Sequence, residues 1–173
     1  MDFESKIISR QIGDILYASG YTIGTAESCT GGRISEAIIA IPGSSDYYKG
    51  GVVAYTDEVK EKLLGVSHEV LEEKTAVSEE VAREMVLGTI NAIGVDFAIA
   101  STGVAGPGGG TSENPVGTIW LAYGNRSEIR TFKLTEDFGR DINLAIATNK
   151  AIRLMLDFLN DIVDKSEQTH KKD

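Results

Sequence analysis

Apolar residues recur at helical spacing from the start of the chain: Phe3, Ile7, Ile8, Ile12, Ile15 and Leu16 predict an amphipathic helix that Gly20 stops. The next stretch, Tyr21 to Ala26, is short and β-prone, and Ile34, Ile38 and Ile41 then return to the helical period before Pro42. Ser28 therefore falls on a strand-to-helix junction. Gly51 to Tyr55 reads as a buried strand, after which Asp57 is expected to cap a short helix carrying Lys60 and Leu63 and ending at Gly65. Tyr55 and Lys60 thus flank a second such junction. Ser78 is a predicted helix N-cap, with Glu79 and Glu80 in the first turn, Val81, Met85 and Ile90 on the apolar face, and Gly94 at the end.

Phe97 to Ser101 forms a third apolar strand that runs into the glycine-rich segment Gly103 to Thr111. Thr118 to Tyr123 and Glu128 to Leu134 predict a hairpin across Gly124-Asn125, and Ile142, Ile146, Ile152, Leu156 and Leu159 line one side of a final helix. Helices alternating with strands, followed by a hairpin, predict an α/β fold: a three-layer α/β/α sandwich with a mixed sheet. One domain is expected over residues 1–164, followed by a charged, flexible tail over 165–173. In such folds, sites collect where strands end in loops.

Composition narrows the chemistry. Hydrophobic residues make up 42% and charged residues 25%, values in the ordinary range of globular proteins. One cysteine, Cys29, and two histidines cannot form an internal disulfide or the usual Cys/His zinc site, and no acidic pair has a metal-motif spacing, so no metal is expected. A net charge of −9 opposes nucleic-acid binding, because a phosphate backbone would be repelled. The start carries no basic and apolar leader, and no apolar run approaches the ~18 residues of a membrane span, so a cytoplasmic protein without membrane attachment is expected.

Thr25-Ala-Glu-Ser-Cys-Thr-Gly-Gly32 sets hydroxyls, a carboxylate and a thiol at the predicted start of a helix, where unsatisfied N–H groups favour anions. The plainer reading is a Ser28 or Thr30 cap beside a small buried Cys29. A serine nucleophile needs a base, and His68 and His170 both read as surface residues. A Ser-His-Asp triad is therefore not expected. Lys60 is the better-placed base, as in Ser-Lys variants of the triad, although it equally fits a charged surface helix beside Glu58, Glu61 and Lys62. An unperturbed lysine has a pKa of ~10.4, so a working base must be desolvated or set near another cation. Tyr55 could relay a proton or simply be a strand aromatic.

Ser101-Thr-Gly-Val-Ala-Gly-Pro-Gly-Gly-Gly-Thr111 exposes backbone amides after a strand, suiting an oxyanion hole or a phosphate cradle, with Thr102 able to orient a substrate hydroxyl. It has neither a Walker A ending nor the placement of a Rossmann fingerprint. Such glycine density between two strands is entropically costly, which favours a function over a passive loop. Arg140, opening the final helix, either reaches a ligand phosphate or pairs with Asp137 or Asp141.

Taken together, Thr25–Gly32, Pro42-Gly-Ser-Ser45, Tyr55–Val66, Ala76-Val-Ser78, Thr102–Gly110 and Pro115-Val-Gly117 resemble the CinA C-terminal domain family, the PncC-type nicotinamide-nucleotide amidases, over roughly residues 5–160. The resemblance implies hydrolysis of the carboxamide of nicotinamide mononucleotide to nicotinic acid mononucleotide and ammonia, in pyridine-nucleotide recycling, with no cofactor. It implies Ser28 as nucleophile, Lys60 as base and Tyr55 as supporting hydroxyl. Amides of Thr102 and Gly103 would stabilise the oxyanion. The ribose phosphate of this small-molecule substrate would sit on Thr30, Gly31 and Gly32, on the loop glycines Gly106, Gly108 and Gly109, or on Arg140.

Two departures stand out: Asp57 where the family commonly has asparagine, and Arg140 within Phe138-Gly-Arg-Asp141 where Gly-Asp-Arg is usual. A carboxylate at Asp57 would repel a phosphate or favour the charged form of Lys60. The N-terminal nucleotide-pyrophosphatase-like domain of some relatives is not expected here, and a homo-oligomer is. Two other readings remain: a catalytically weak nucleotide- or partner-binding module linked to competence and DNA damage, and a Cys29 nucleophile.

Overall fold

The computed structural model describes the backbone of residues 3–170 and the side chains of residues 3–165. Among these residues, helices α1 (Phe3–Ser19), α2 (Arg33–Ile39), α3 (Asp57–Leu64), α4 (His68–Lys74), α5 (Glu79–Thr89) and α6 (Arg140–His170) alternate with strands β1 (Ile23–Glu27), β2 (Tyr48–Val53), β3 (Phe97–Gly103), β4 (Ile119–Asn125) and β5 (Ile129–Leu134). The strands form one mixed sheet in the order β2-β1-β3-β4-β5. β1 runs parallel to both β2 and β3, and β4 and β5 complete an antiparallel meander from β3.

Strand alternation builds two cores. On β3 and β4, Phe97, Ile99, Ile119, Leu121 and Tyr123 face one side, where they pack with Ile8, Ile12 and Leu16 of α1, Ile34 and Ile38 of α2, and the buried stripe of α6. The opposite side carries alanines, Ala26, Ala98, Ala100 and Ala122, against Val81, Ala82, Met85 and Val86 of α5. Small residues there let the helices come close: a Cβ on Gly88 of α5 would lie 2.0 Å from the carbonyl oxygen of Leu64 at the end of α3. The three-layer α/β/α sandwich is thus observed, with α1, α2 and α6 on one face of the sheet and α3, α4 and α5 on the other.

Several element ends differ from the sequence reading. Thr56, not Asp57, caps α3: its hydroxyl accepts the N–H of Val59, and Asp57 is the first helical residue. Ser78 caps α5 as expected, and a wider turn over Ile90–Gly94 follows that helix. The hairpin turn falls one residue beyond Gly124-Asn125, since β4 extends through Asn125 and its N–H bonds the Glu128 carbonyl at 2.9 Å. Phe3, Ile7 and Ile142, which fit the helical apolar stripes, are exposed. α6 continues to His170, past the expected start of the tail at residue 165, and residues 171–173 of that tail lie outside the described residues.

The switch point of the sheet lies between β1 and β3. The chain leaves β1 for β2 on one side and returns to β3 on the other, so the carboxyl ends of the three parallel strands open on one edge. Ser28, Ala54-Tyr55 and Gly103 all emerge there.

Candidate active site

Two backbone bonds extend the parallel ladders beyond the strands themselves. Ser28 donates its N–H to the Ser101 carbonyl at 2.9 Å, and Ala54 donates to the Glu27 carbonyl at 2.8 Å. The chain then turns sharply: the Ser28 carbonyl accepts the N–H of Gly31 at 3.1 Å, and Gly31 and Gly32 take positive φ angles of 59° and 102° before α2 starts. Ser28 is buried in this turn, with 8% of its surface exposed.

The turn is held by Glu27, which is fully buried. Its Oε2 accepts the Thr30 hydroxyl at 2.6 Å and the N–H groups of Gly32 and Ile34 at 3.0 Å each. Its Oε1 accepts the N–H of Ser35 at 2.8 Å and the Ser35 hydroxyl at 2.7 Å. The start of α2 is therefore already filled by a carboxyl group of the protein. The expectation that Thr30, Gly31 and Gly32 cradle a substrate phosphate is corrected on this ground: the Gly32 N–H and the Thr30 hydroxyl are turned to Glu27, and the Gly31 N–H to Ser28.

Lys60 is among the largest fully buried side chains of the described residues, 1% exposed, because α3 packs its inner face toward α5. The surface-lysine reading does not hold. Its ammonium lies 3.5 Å from the Asp57 carboxylate on the exposed side of the same helix. Burial pushes the Cys29 thiol up to about 12, with Glu27 adding to the rise and the Lys60 charge opposing it. Burial thus leaves Cys29 a neutral thiol, which argues against a thiolate nucleophile.

Tyr55 stands just past β2 and is 58% exposed. Its hydroxyl accepts a bond from Arg140 Nη2 at 3.3 Å, while Arg140 Nη1 donates to the Gly106 carbonyl at 2.8 Å. Arg140 thus ties the glycine loop to the tyrosine. Neither Asp137 nor Asp141 is its partner in this arrangement: the Asp137 carboxyl is held below the usual carboxylate range by a bond from the Asn143 side chain and another from the Gly139 N–H.

Thr102 does not offer its side chain to a ligand, because its hydroxyl donates to the Ala76 carbonyl at 2.7 Å. Its N–H is also engaged by position. Val104 donates to Thr118 across β3 and β4, and amides alternate along a strand, so the Thr102 N–H faces β4 and the Gly103 N–H faces β1, the side of Ser28. The oxyanion reading passes to Gly103 alone. Glycine is required there, since a Cβ would lie 2.4 Å from the Thr118 carbonyl oxygen. Gly106 has a φ of 91°, and a Cβ would press on Val116, whereas Gly108 faces open space. Gly108 and Gly109 are exposed.

Asn143 was not legible as a site residue. Buried at 3% exposure, it bonds the Ala105 carbonyl, Asp137 and the Phe138 N–H, fastening the glycine loop to the start of α6. Ser101, whose hydroxyl meets that of Thr30 at 2.6 Å, and Glu27 were missed likewise. Among the described residues there is no group of three metal-ligating side chains, and no helix is long and apolar enough to cross a membrane.

The chain is similar to known proteins over most of its length. The CinA C-terminal domain family profile matches residues 5–159. The nicotinamide-nucleotide amidohydrolase PncC of Shigella flexneri is 41% identical over 155 residues, covering 89% of this chain and 94% of that protein. A CinA-like protein of Gloeobacter violaceus is 43% identical over 143 residues, 82% of this chain but 34% of that protein, so the chain spans about a third of such relatives. Among solved structures, the competence/damage inducible protein CihA from Agrobacterium tumefaciens superposes with a TM-score of 0.89 at 35% identity, covering 92% of this chain and 98% of that one. The chain belongs to the CinA C-terminal domain family.

Proposed function

We propose that the protein is an amidohydrolase acting on the carboxamide of a pyridine mononucleotide, nicotinamide mononucleotide in the first place. The observation that carries this reading is a fully buried lysine on α3, the helix that follows the Tyr55 junction, together with a buried serine on the turn after β1, both beyond the carboxyl ends of the parallel strands. A relative covering nearly its whole length carries the name of that activity, which supports the choice of substrate.

In this mechanism Lys60, as the neutral amine, takes the Ser28 hydroxyl proton while Oγ attacks the carboxamide carbon. Negative charge develops on the former carbonyl oxygen, and the Gly103 N–H is the donor facing it. The tetrahedral adduct collapses as the Lys60 ammonium returns the proton to the leaving nitrogen, releasing ammonia and leaving an ester on Ser28. Water then attacks that ester with Lys60 again as base, and the proton passes to the departing Ser28 oxygen, giving the carboxylic acid. Arg140, with the exposed glycines Gly108 and Gly109, supplies the positive and amide groups for the ribose phosphate. Tyr55 supports the site through its hydroxyl.

The test is to incubate the purified protein with nicotinamide mononucleotide, without added metal, and to follow ammonia and nicotinic acid mononucleotide together. Equimolar release of both supports the reading. Binding of the nucleotide without either product would overturn it.

A further inference from the structure

We propose that Glu27 is a positioning residue that sets the Ser28 turn against the carboxyl end of β3, acting through Thr30 and Ser101; the inference rests on the amidase reading and adds a residue to it. Five donors converge on the two oxygens of Glu27, which is fully buried. Its two oxygens accept all five.

Capping α2 does not by itself account for the arrangement. The Thr30 hydroxyl, 2% exposed, bridges Glu27 Oε2 and Ser101 Oγ at 2.6 Å on each side. Its one proton goes to Glu27, so it accepts the Ser101 proton. The Ser101 carbonyl in turn accepts the Ser28 N–H at 2.9 Å. Glu27, Ser28, Ser101 and Thr30 therefore form a closed ring of one peptide link and hydrogen bonds, with the proposed nucleophile inside it. Gly103, whose N–H faces Ser28, lies two residues beyond Ser101 on the same strand. The ring thus fixes the separation between nucleophile and oxyanion donor, and a small misplacement of reacting groups costs a large factor in rate.

Glu27→Gln would set an NH2 group against backbone donors and risks the fold, so the decisive variants are Thr30→Val, which keeps the shape and removes the bridge, and Thr30→Ser, which keeps the hydroxyl. Thr30→Val should fold by circular dichroism and lower kcat on nicotinamide mononucleotide by roughly 100-fold, with KM within about twofold of the parent. Thr30→Ser should recover most of the lost kcat. The crystal structure of Thr30→Val should show the Ser28–Ser101 backbone bond broken. Equal kcat in the two variants, or a Ser28 turn in Thr30→Val that superposes on the parent, would overturn the positioning role. Absence of turnover in the parent would sink the amidase reading instead, and the Thr30→Val structure would still decide whether the ring holds the turn.

Discussion

The Lys60 ammonium lies 3.5 Å from Asp57 Oδ1, three residues earlier on α3, and the two side chains are 2% and 56% exposed. The lysine is held inside while its carboxylate partner stands in water. The contact holds Nζ toward Asp57, so Asp57→Asn, which removes the ion pair, is expected to free Nζ and to raise kcat on nicotinamide mononucleotide by up to about fivefold, read as the initial rate of ammonia release. A fall in rate would assign Asp57 a helpful role in place of a restraining one.

Cys29 provides a check by chemistry and by stability. With its thiol raised from 9.0 to about 12, chiefly by burial, it should resist thiol reagents in the native protein and react once the chain is unfolded. Cys29→Ala should keep turnover. The raised group also gives a sign: its contribution to stability is fully present below pH 9.0 and is lost as pH rises toward about 12, because only the unfolded thiol ionises in between. Urea denaturation across that window should therefore be less steep with pH in Cys29→Ala.

His68 sits outside the chemistry. It is paired with Glu61 and Glu72, and its pKa is raised above 6.5, first by the bond to Glu61 and then by the charges of Glu61 and Glu72. The pair's contribution is fully present below pH 6.5 and fades as pH rises through the raised value. His68→Gln should remove that acid-side gain, seen as a smaller Tm difference between about pH 5.5 and about pH 8. Its turnover should match the parent, as a mechanism without a catalytic histidine requires.

The layers were readable because their causes are periodic. Ile8, Ile12 and Leu16 repeat every four residues, and the Phe97 to Ser101 run is short and apolar, so α1 and β3 followed from spacing. The locations of Ser28, Lys60 and Gly103 were readable for a related reason, since each stands at or just beyond a junction between periods. What spacing did not reveal were directions. Glu27 looks like any carboxylate in the sequence, and only the folded turn aims it at the start of α2. Thr102 and Gly103 are neighbours, yet strand alternation separates their amides, and Lys60 looks solvated among Glu58, Glu61 and Lys62 until α3 is laid on α5.

Gly88 tests the packing that buries Lys60. A Cβ there would lie 2.0 Å from the Leu64 carbonyl oxygen, a backbone atom one turn beyond Lys60. Gly88→Ala is expected to push α3 away from α5 and lower stability by about 1–3 kcal/mol, measured by urea denaturation. Turnover at temperatures where the variant stays folded should fall as well, because α3 carries the base. Unchanged stability and rate would mean that the contact relaxes without moving the helix.

The most direct test of the Ser28 mechanism is rapid-quench mass spectrometry of the protein during turnover of nicotinamide mononucleotide. An acyl adduct is expected on the peptide containing Ser28, absent in Ser28→Ala together with ammonia release. Turnover that persists in Ser28→Ala would rule out Ser28 as the nucleophile.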